Sequence, residues 1–175
     1  MRIAVVVPPL RDFYLTPHRM SSLGAWTVLN LCRKIGQEAQ LFIFPSKEKT
    51  QILPLPPEAS YLTPYLVPGE FGPLSFFTRF KHYGPSFHQC ADTLANDTPE
   101  LVLISSFAYA YAEEAVSLAQ SLRSLLPQTT IAVGGAGPSA CPQFYIEKGR
   151  TSQAFDFVVT GEGEVTLPLL LSAAH

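Results

Sequence analysis

This sequence is short of charge, of cysteine and of long apolar runs, and each shortage removes a class of protein. Only 15% of its residues are charged, and its twelve Lys and Arg are scattered against fourteen Asp and Glu for a net charge of -2. Nucleic-acid binding needs a basic stripe that neutralises phosphates, so no nucleic-acid partner is expected. The three cysteines, Cys32, Cys90 and Cys141, contain no C-x-x-C pair and form no even set. A disulfide framework is therefore excluded and a cytoplasmic location fits best. No apolar run approaches a membrane span, and Pro8 and Pro9 end the opening strand-like stretch Arg2 to Val7 too early for a secretory core. A soluble protein without a membrane partner is expected.

Signatures of catalysis are missing as well. There is no G-x-x-x-x-G-K-[ST] phosphate cradle and no G-x-S-x-G nucleophile elbow. A phosphoacceptor domain would carry acidic residues after its first strand and Asp after its third, where this chain has Pro8-Pro9 and Ser105-Ser106. Neither serine has a base partner visible in the sequence, so both read as capping or ligand-bonding hydroxyls. His18, His82, His88 and His175 fall at no metal-ligating spacing and read as loop or surface residues. Cys141, beside Pro142, reads as a small half-buried thiol.

What is present is a hydrophobic fraction of 47% over 175 residues, enough for one domain with its own core. Ile3 to Val7 has the β-branched, all-apolar pattern of a strand covered on both faces. After Ser21 or Ser22, a helix places Leu23, Trp26, Leu29 and Cys32 on one face, with Arg33 and Lys34 in its last turn and Gly36 as its stop. Ala39 to Phe44 is the second strand. Further on come a helix over Ser86 to Asn96, a strand at Leu101 to Ile104, and a helix near Ala110 to Leu126 with Glu113 and Glu114 in its first turn. A strand at Ile131 to Val133, a short helix over Gln143 to Lys148, a strand at Phe155 to Val159 and a last apolar helix complete the chain. This alternation predicts an α/β fold, a three-layer, doubly wound (flavodoxin-like) five-stranded parallel sheet of order 2-1-3-4-5. A ligand is expected at the loops after Val7, Ile104 and Val133, flanked by the loop from Thr160 to Glu164.

Residues 45–85 break the pattern. They hold eight of the sixteen prolines and the aromatics Tyr61, Tyr65, Phe71, Phe76, Phe77, Phe80 and Tyr83, with a short helix expected near Phe76 to Lys81. An ordered insertion follows, read equally as a docking surface, through which the chain would self-associate, or as a cover for a sheet edge. The stretch I-A-V-G-G-A-G-P-S, Ile131 to Ser139, runs a buried strand into paired glycines. Such a turn suits a flat ligand or, equally, a helix packed close to the main chain. Glu162 and Glu164, in G-E-G-E, read first as caps of the last helix and second as ligand contacts.

Taken together, L-V-L-I-S-S at Leu101 to Ser106, I-A-V-G-G-A-G-P-S-A-C-P-Q at Ile131 to Gln143, and F-D-F-V-V-T-G-E-G-E at Phe155 to Glu164 resemble the N-terminal cobalamin-binding domain of cobalamin-dependent radical SAM proteins. The resemblance covers most of the chain outside the insertion. It implies a corrin ring on the carboxyl edge of the sheet and a nucleotide tail in a slot lined by small residues. Ser105 and Ser106 would contact the tail, and Gly134, Gly135 and Ala136, with Ser139 beside them, would let it lie against the backbone. Pro9, Leu10, Gly161, Glu162 and Gly163 would border the macrocycle. On that reading Gly135→Val should fill the slot and leave the fold intact.

The D-x-H-x-x-G motif that supplies an axial imidazole in related cobalamin proteins is absent; Asp12, His18 and Gly24 occur in that order at other spacings. The C-x-x-x-C-x-x-C of an iron-sulfur cluster is absent too, so radical chemistry is beyond this chain alone. The implied partner is a downstream radical SAM domain in cis, carrying the iron-sulfur cluster and SAM, with methyl transfer as one candidate reaction. The chain is then the N-terminal part of a longer protein, residues 1–175 forming one domain. A ligand-free scaffold of the same fold, acting through the insertion, is the alternative.

Overall fold

Apolar runs too short for helices and rich in β-branched residues build the centre of the molecule. A computed structural model describes residues 1–19, 22–66 and 79–173. The parallel strands are β1 (Arg2–Val7), β3 (Glu38–Ile43), β6 (Leu101–Ser105), β7 (Thr130–Gly134) and β8 (Phe157–Val158). They lie in the order β3-β1-β6-β7-β8, which is 2-1-3-4-5 when only the parallel strands are counted. The expected fold and order hold. Ile3 stands opposite Ala39 on one side and Leu101 on the other, and Ile104 opposite Val133.

The period of two divides these runs between two cores. Ile3, Val5, Leu101, Leu103 and Ala132 face helices α1 (Leu23–Lys34) and α6 (Gly163–Ala173). Ala4, Val6, Val102, Ile104, Ile131 and Val133 face α2 (Phe87–Asn96), α3 (Ala112–Leu125) and α5 (Pro142–Ser152). A single turn of helix, α4 (Ala136–Ala140), links β7 to α5. No helix among the described residues is long and apolar enough to cross a membrane.

Ser86 caps α2 through a reciprocal capping box with Gln89, and Arg33 and Lys34 close α1. Helix α1 is rotated from its expected setting: Ala25, Leu29 and Cys32 are buried, whereas Leu23 is 70% and Trp26 46% exposed. The reason is the partner, because α1 must meet both the sheet and α6. The last strand is shorter than expected, since Asp156 at its start bonds Ile131 N–H and Arg123 through its carboxylate. Helix α5 is longer, running through Gly149, which lies against Phe155.

The insertion holds structure that the sequence did not suggest. Three-residue strands β4 (Thr50–Ile52) and β5 (Lys81–Tyr83) join β2 (Leu10–Asp12) in an antiparallel sheet of order β2-β5-β4. Strands this short cannot display an alternation, and their pairing spans distant parts of the chain. Lys81, expected at the end of a helix, is the first residue of β5; residues 76–78 of that expected helix lie outside the described residues. Tyr61 and Tyr65 sit exposed in a 3-10 stretch, while Phe71, Phe76 and Phe77 lie outside the described residues.

Candidate functional site

At the carboxyl ends of β1, β6 and β7 the sheet opens on one face into a cleft of about 530 Å³. That volume is within the range of small-molecule and cofactor sites. Helices α1 and α6 form its sides and Val5, Leu103 and Ala132 its floor; Leu23, Val28, Leu167 and Leu170 complete an aliphatic lining. The polar rim comes from Ser105, Ser139, Glu162, Glu164, Thr27 and Thr166, and no Lys, Arg or His stands among the lining residues. A phosphate-rich, highly charged ligand would find no counter-charge there. A bulky ligand bearing neutral amides would find carboxylate acceptors at the rim and an apolar interior.

Two of the lining glycines have open space beside them. A Cβ on Gly24, near the start of α1, or on Gly161, in the loop after β8, would meet no atom within 4 Å. Both residues line the cleft. The rim is held by Ser139, whose hydroxyl donates to the Gly135 carbonyl at 2.9 Å and accepts the Gly161 N–H at 3.0 Å. One side chain thus ties the β7 turn to the loop that leads into α6. The N-terminus of α6 is completed by the Glu162 carbonyl, which accepts from Val165 and Thr166 N–H.

The other face of the same edge is closed. Ser106, 2% exposed, hydrogen-bonds through its hydroxyl to the Tyr145 hydroxyl at 2.7 Å, and its backbone joins Gly134 and Gly137. Burial pushes the Tyr145 hydroxyl pKa upward against the lowering effect of that bond. Gly135 has φ +116°, and a Cβ there would fall 2.7 Å from the Ser106 carbonyl oxygen. A side chain on Gly137 would run into the Tyr145 hydroxyl. Nearby, Arg11 pairs with Glu114 at 2.8 Å and lies over the Phe87 ring, and Tyr111 donates to Asp12 at 2.6 Å. Glu114 is 4% exposed, and its Oε2 has no hydrogen-bond partner among the described residues. Desolvation raises its pKa despite the guanidinium. These contacts fasten the small sheet to the start of α3.

Of the eleven residues singled out in the sequence, Ser105, Gly134, Gly135, Ala136, Ser139, Gly161, Glu162 and Gly163 line the cleft. Pro9, Leu10 and Ser106 do not. Pro9 packs near Gly84, Leu10 pairs with Tyr83 in the small sheet, and Ser106 is bonded to Tyr145. Gly135 already gives its missing side chain to contact with Ser106, so Gly135→Val would disturb the fold, contrary to the expectation of a fold-neutral plug. Sequence reading missed the contributions of α1 and of α6 beyond its first two residues. One signal was available: Gly24 sits inside a helix, where glycine is costly unless space is needed.

His18 lies in a 3-10 turn over Pro17–Arg19, and His82 is buried in β5 with a ring nitrogen 2.8 Å from the Pro85 carbonyl oxygen. Among the described residues no group of three or more His, Cys, Asp and Glu is placed to hold a metal ion.

Compared with protein families, residues 81–171, just over half of the chain, match the family model described as B12 binding domain. The match takes in β5, the strands β6 to β8 and nearly all of α6. A comparison with curated proteins finds no match.

Proposed function

The chain belongs to the B12-binding domain family, and on that premise we propose that it seats cobalamin with the nucleotide tail in the cleft between α1 and α6 and the corrin over its rim. The observation that carries this reading is the open apolar cleft at the carboxyl edge, where Gly24 and Gly161 lack side chains toward empty space. The residues fit the group: a large, nearly neutral ligand needs shape and a few hydrogen bonds, and the rim offers both.

In this reading Val5, Leu103, Ala132, Val28 and Leu170 exclude water from the tail, and Ser105 bonds it at the mouth. The backbone at Gly134, Gly135 and Ala136 lets it run along the end of β7. Glu162 and Glu164 accept hydrogen bonds from corrin amides, while Ser139 holds the two sides of the rim at a fixed separation. Bound cobalamin supplies a cobalt centre suited to methyl transfer or radical chemistry. On the resemblance to cobalamin-dependent radical SAM proteins, residues 1–175 act as one domain, the N-terminal part of a longer cytoplasmic radical SAM protein; the C-x-x-x-C-x-x-C of its cluster does not occur in this sequence. There it presents the cofactor to a downstream domain in cis that carries the iron-sulfur cluster and SAM. The insertion, with Tyr61 and Tyr65 exposed, is then the place for self-association or for contact with that domain.

The test is uptake. Purified protein incubated with hydroxocobalamin should carry the visible corrin spectrum through gel filtration; colourless protein at saturating cofactor would refute the assignment.

A further inference from the structure

Between β4 and the 3-10 stretch Pro57–Tyr65 the chain reads L-P-L-P-P-E over 53–58. Proline fixes its own φ at about -65° and pushes the residue before it toward extended backbone. Leu53, Leu55 and Pro56 each precede a proline, and Pro56 has φ -57° and ψ 143°, in the polyproline II region. Polyproline II and the 3-10 helix both turn once in three residues, so a row of side chains three apart persists through the junction at Pro57. Leu53, Pro56, Ala59 and Leu62 form such a row and are half-buried, whereas Pro54, Pro57 and Ser60 on the next row are exposed. The Leu53 N–H donates to the Phe80 carbonyl at 2.9 Å, which ties the run to the start of β5. The Ala59 N–H donates to the Pro56 carbonyl at 2.9 Å and holds the turn into the 3-10 stretch.

A ridge with prolines along its outer row is the shape that aromatic-lined grooves recognise, because rings pack between the prolines and groove donors bond the backbone carbonyls. Among the described residues nothing donates to the Pro54 and Leu55 carbonyls. The ridge is already ordered, so docking costs little conformational entropy. Tyr61, 69% exposed, and Glu58, the sole charged residue between 53 and 66, follow directly after the prolines. A groove with a basic edge complements them. We infer that this ridge is a docking site for a partner protein whose groove is lined by Trp and Tyr side chains and edged by basic charge. Such docking involves the insertion alone and is independent of what occupies the cleft.

Binding to known groove domains tests it. The full 175-residue chain is passed over an array of isolated polyproline-recognising domains, of the WW and Src-homology kinds, with surface plasmon resonance as the readout. At least one domain with a basic groove edge should bind, and excess decaproline should displace it. Pro54→Ala combined with Pro57→Ala should weaken that binding by about 10-fold or more, since two anchors leave the groove. Glu58→Lys should weaken it several-fold by reversing the charge beside the basic edge. Both variants should keep the circular dichroism and melting temperature of the parent. Absence of binding across the array would overturn the docking, as would binding that survives decaproline. A shift from dimer to monomer on gel filtration in the double-alanine variant would assign the ridge to a second copy of the chain instead. Decaproline displacement of the parent decides the matter even if a variant misfolds.

Discussion

The two faces of one sheet edge use the same residue type for opposite ends. On the α2–α3–α5 side, glycine lets the protein close on itself: Gly135 meets the Ser106 carbonyl, and Gly137 lies under the Tyr145 hydroxyl. On the α1–α6 side, Gly24 and Gly161 face nothing within 4 Å. The lesson is that a glycine at a strand end or helix start is uninformative until its neighbours are known. One kind marks a packed joint and the other leaves open space beside it.

The strongest way to break this contrast is a bulky residue at each kind of site. Gly135→Val combines a left-handed φ with a backbone clash, and should cost more than about 3 kcal/mol of stability. Thermal or urea unfolding measures it, and a near-native melting curve would show that the joint is not closed. Gly24→Phe should leave the melting temperature within a few degrees of the parent. It should weaken hydroxocobalamin binding by about 100-fold or more, roughly 2.7 kcal/mol. Retained affinity in a folded Gly24→Phe variant would place the ligand outside the α1–α6 cleft.

The smallest effect concerns the closed face alone. Glu114 has its pKa raised above 4.5 by burial, so the folded state holds a proton that the unfolded state releases first. Its contribution to stability is present below about pH 4.5 and is lost as pH rises through the raised value. Glu114→Gln removes that titration. The stability of the parent relative to this variant should therefore fall as pH increases from about 4.5, and level off once the parent carboxylate is ionised. Urea unfolding at several pH values reads the difference; a relative stability that rises over the same range would contradict the burial argument. Cobalamin uptake, belonging to the other face, should be unaltered.

Much of this was legible in the sequence because it depends on short-range periodicity. The apolar runs at Ile3 to Val7 and Leu101 to Ile104, the Gly36 stop and the helix over Ser86 to Asn96 are local signals with local consequences. Ser105, Gly134 and Gly161 were brought to one rim because strand order and crossover handedness leave few alternatives. The other half of the cleft was not legible. Leu23, Val28 and Leu170 look like ordinary core residues of amphipathic helices, and only the angle at which α1 and α6 meet the sheet turns their faces to a shared space. Ser106 stands outside the cleft lining for a similar reason: its position is read from the strand, but its partner Tyr145 is 39 residues away.

The sequence by itself determined the layered architecture, the strand order and the edge at which the cleft opens, since each follows from period, turn chemistry and chirality acting over neighbouring residues. Only the tertiary structure decided which face of that edge is open, which glycines are joints, and that three-residue strands from the first loop and the insertion form a second sheet. Those outcomes depend on contacts between residues far apart in the chain, and no local pattern encodes whether two packed surfaces meet fully or leave room between them.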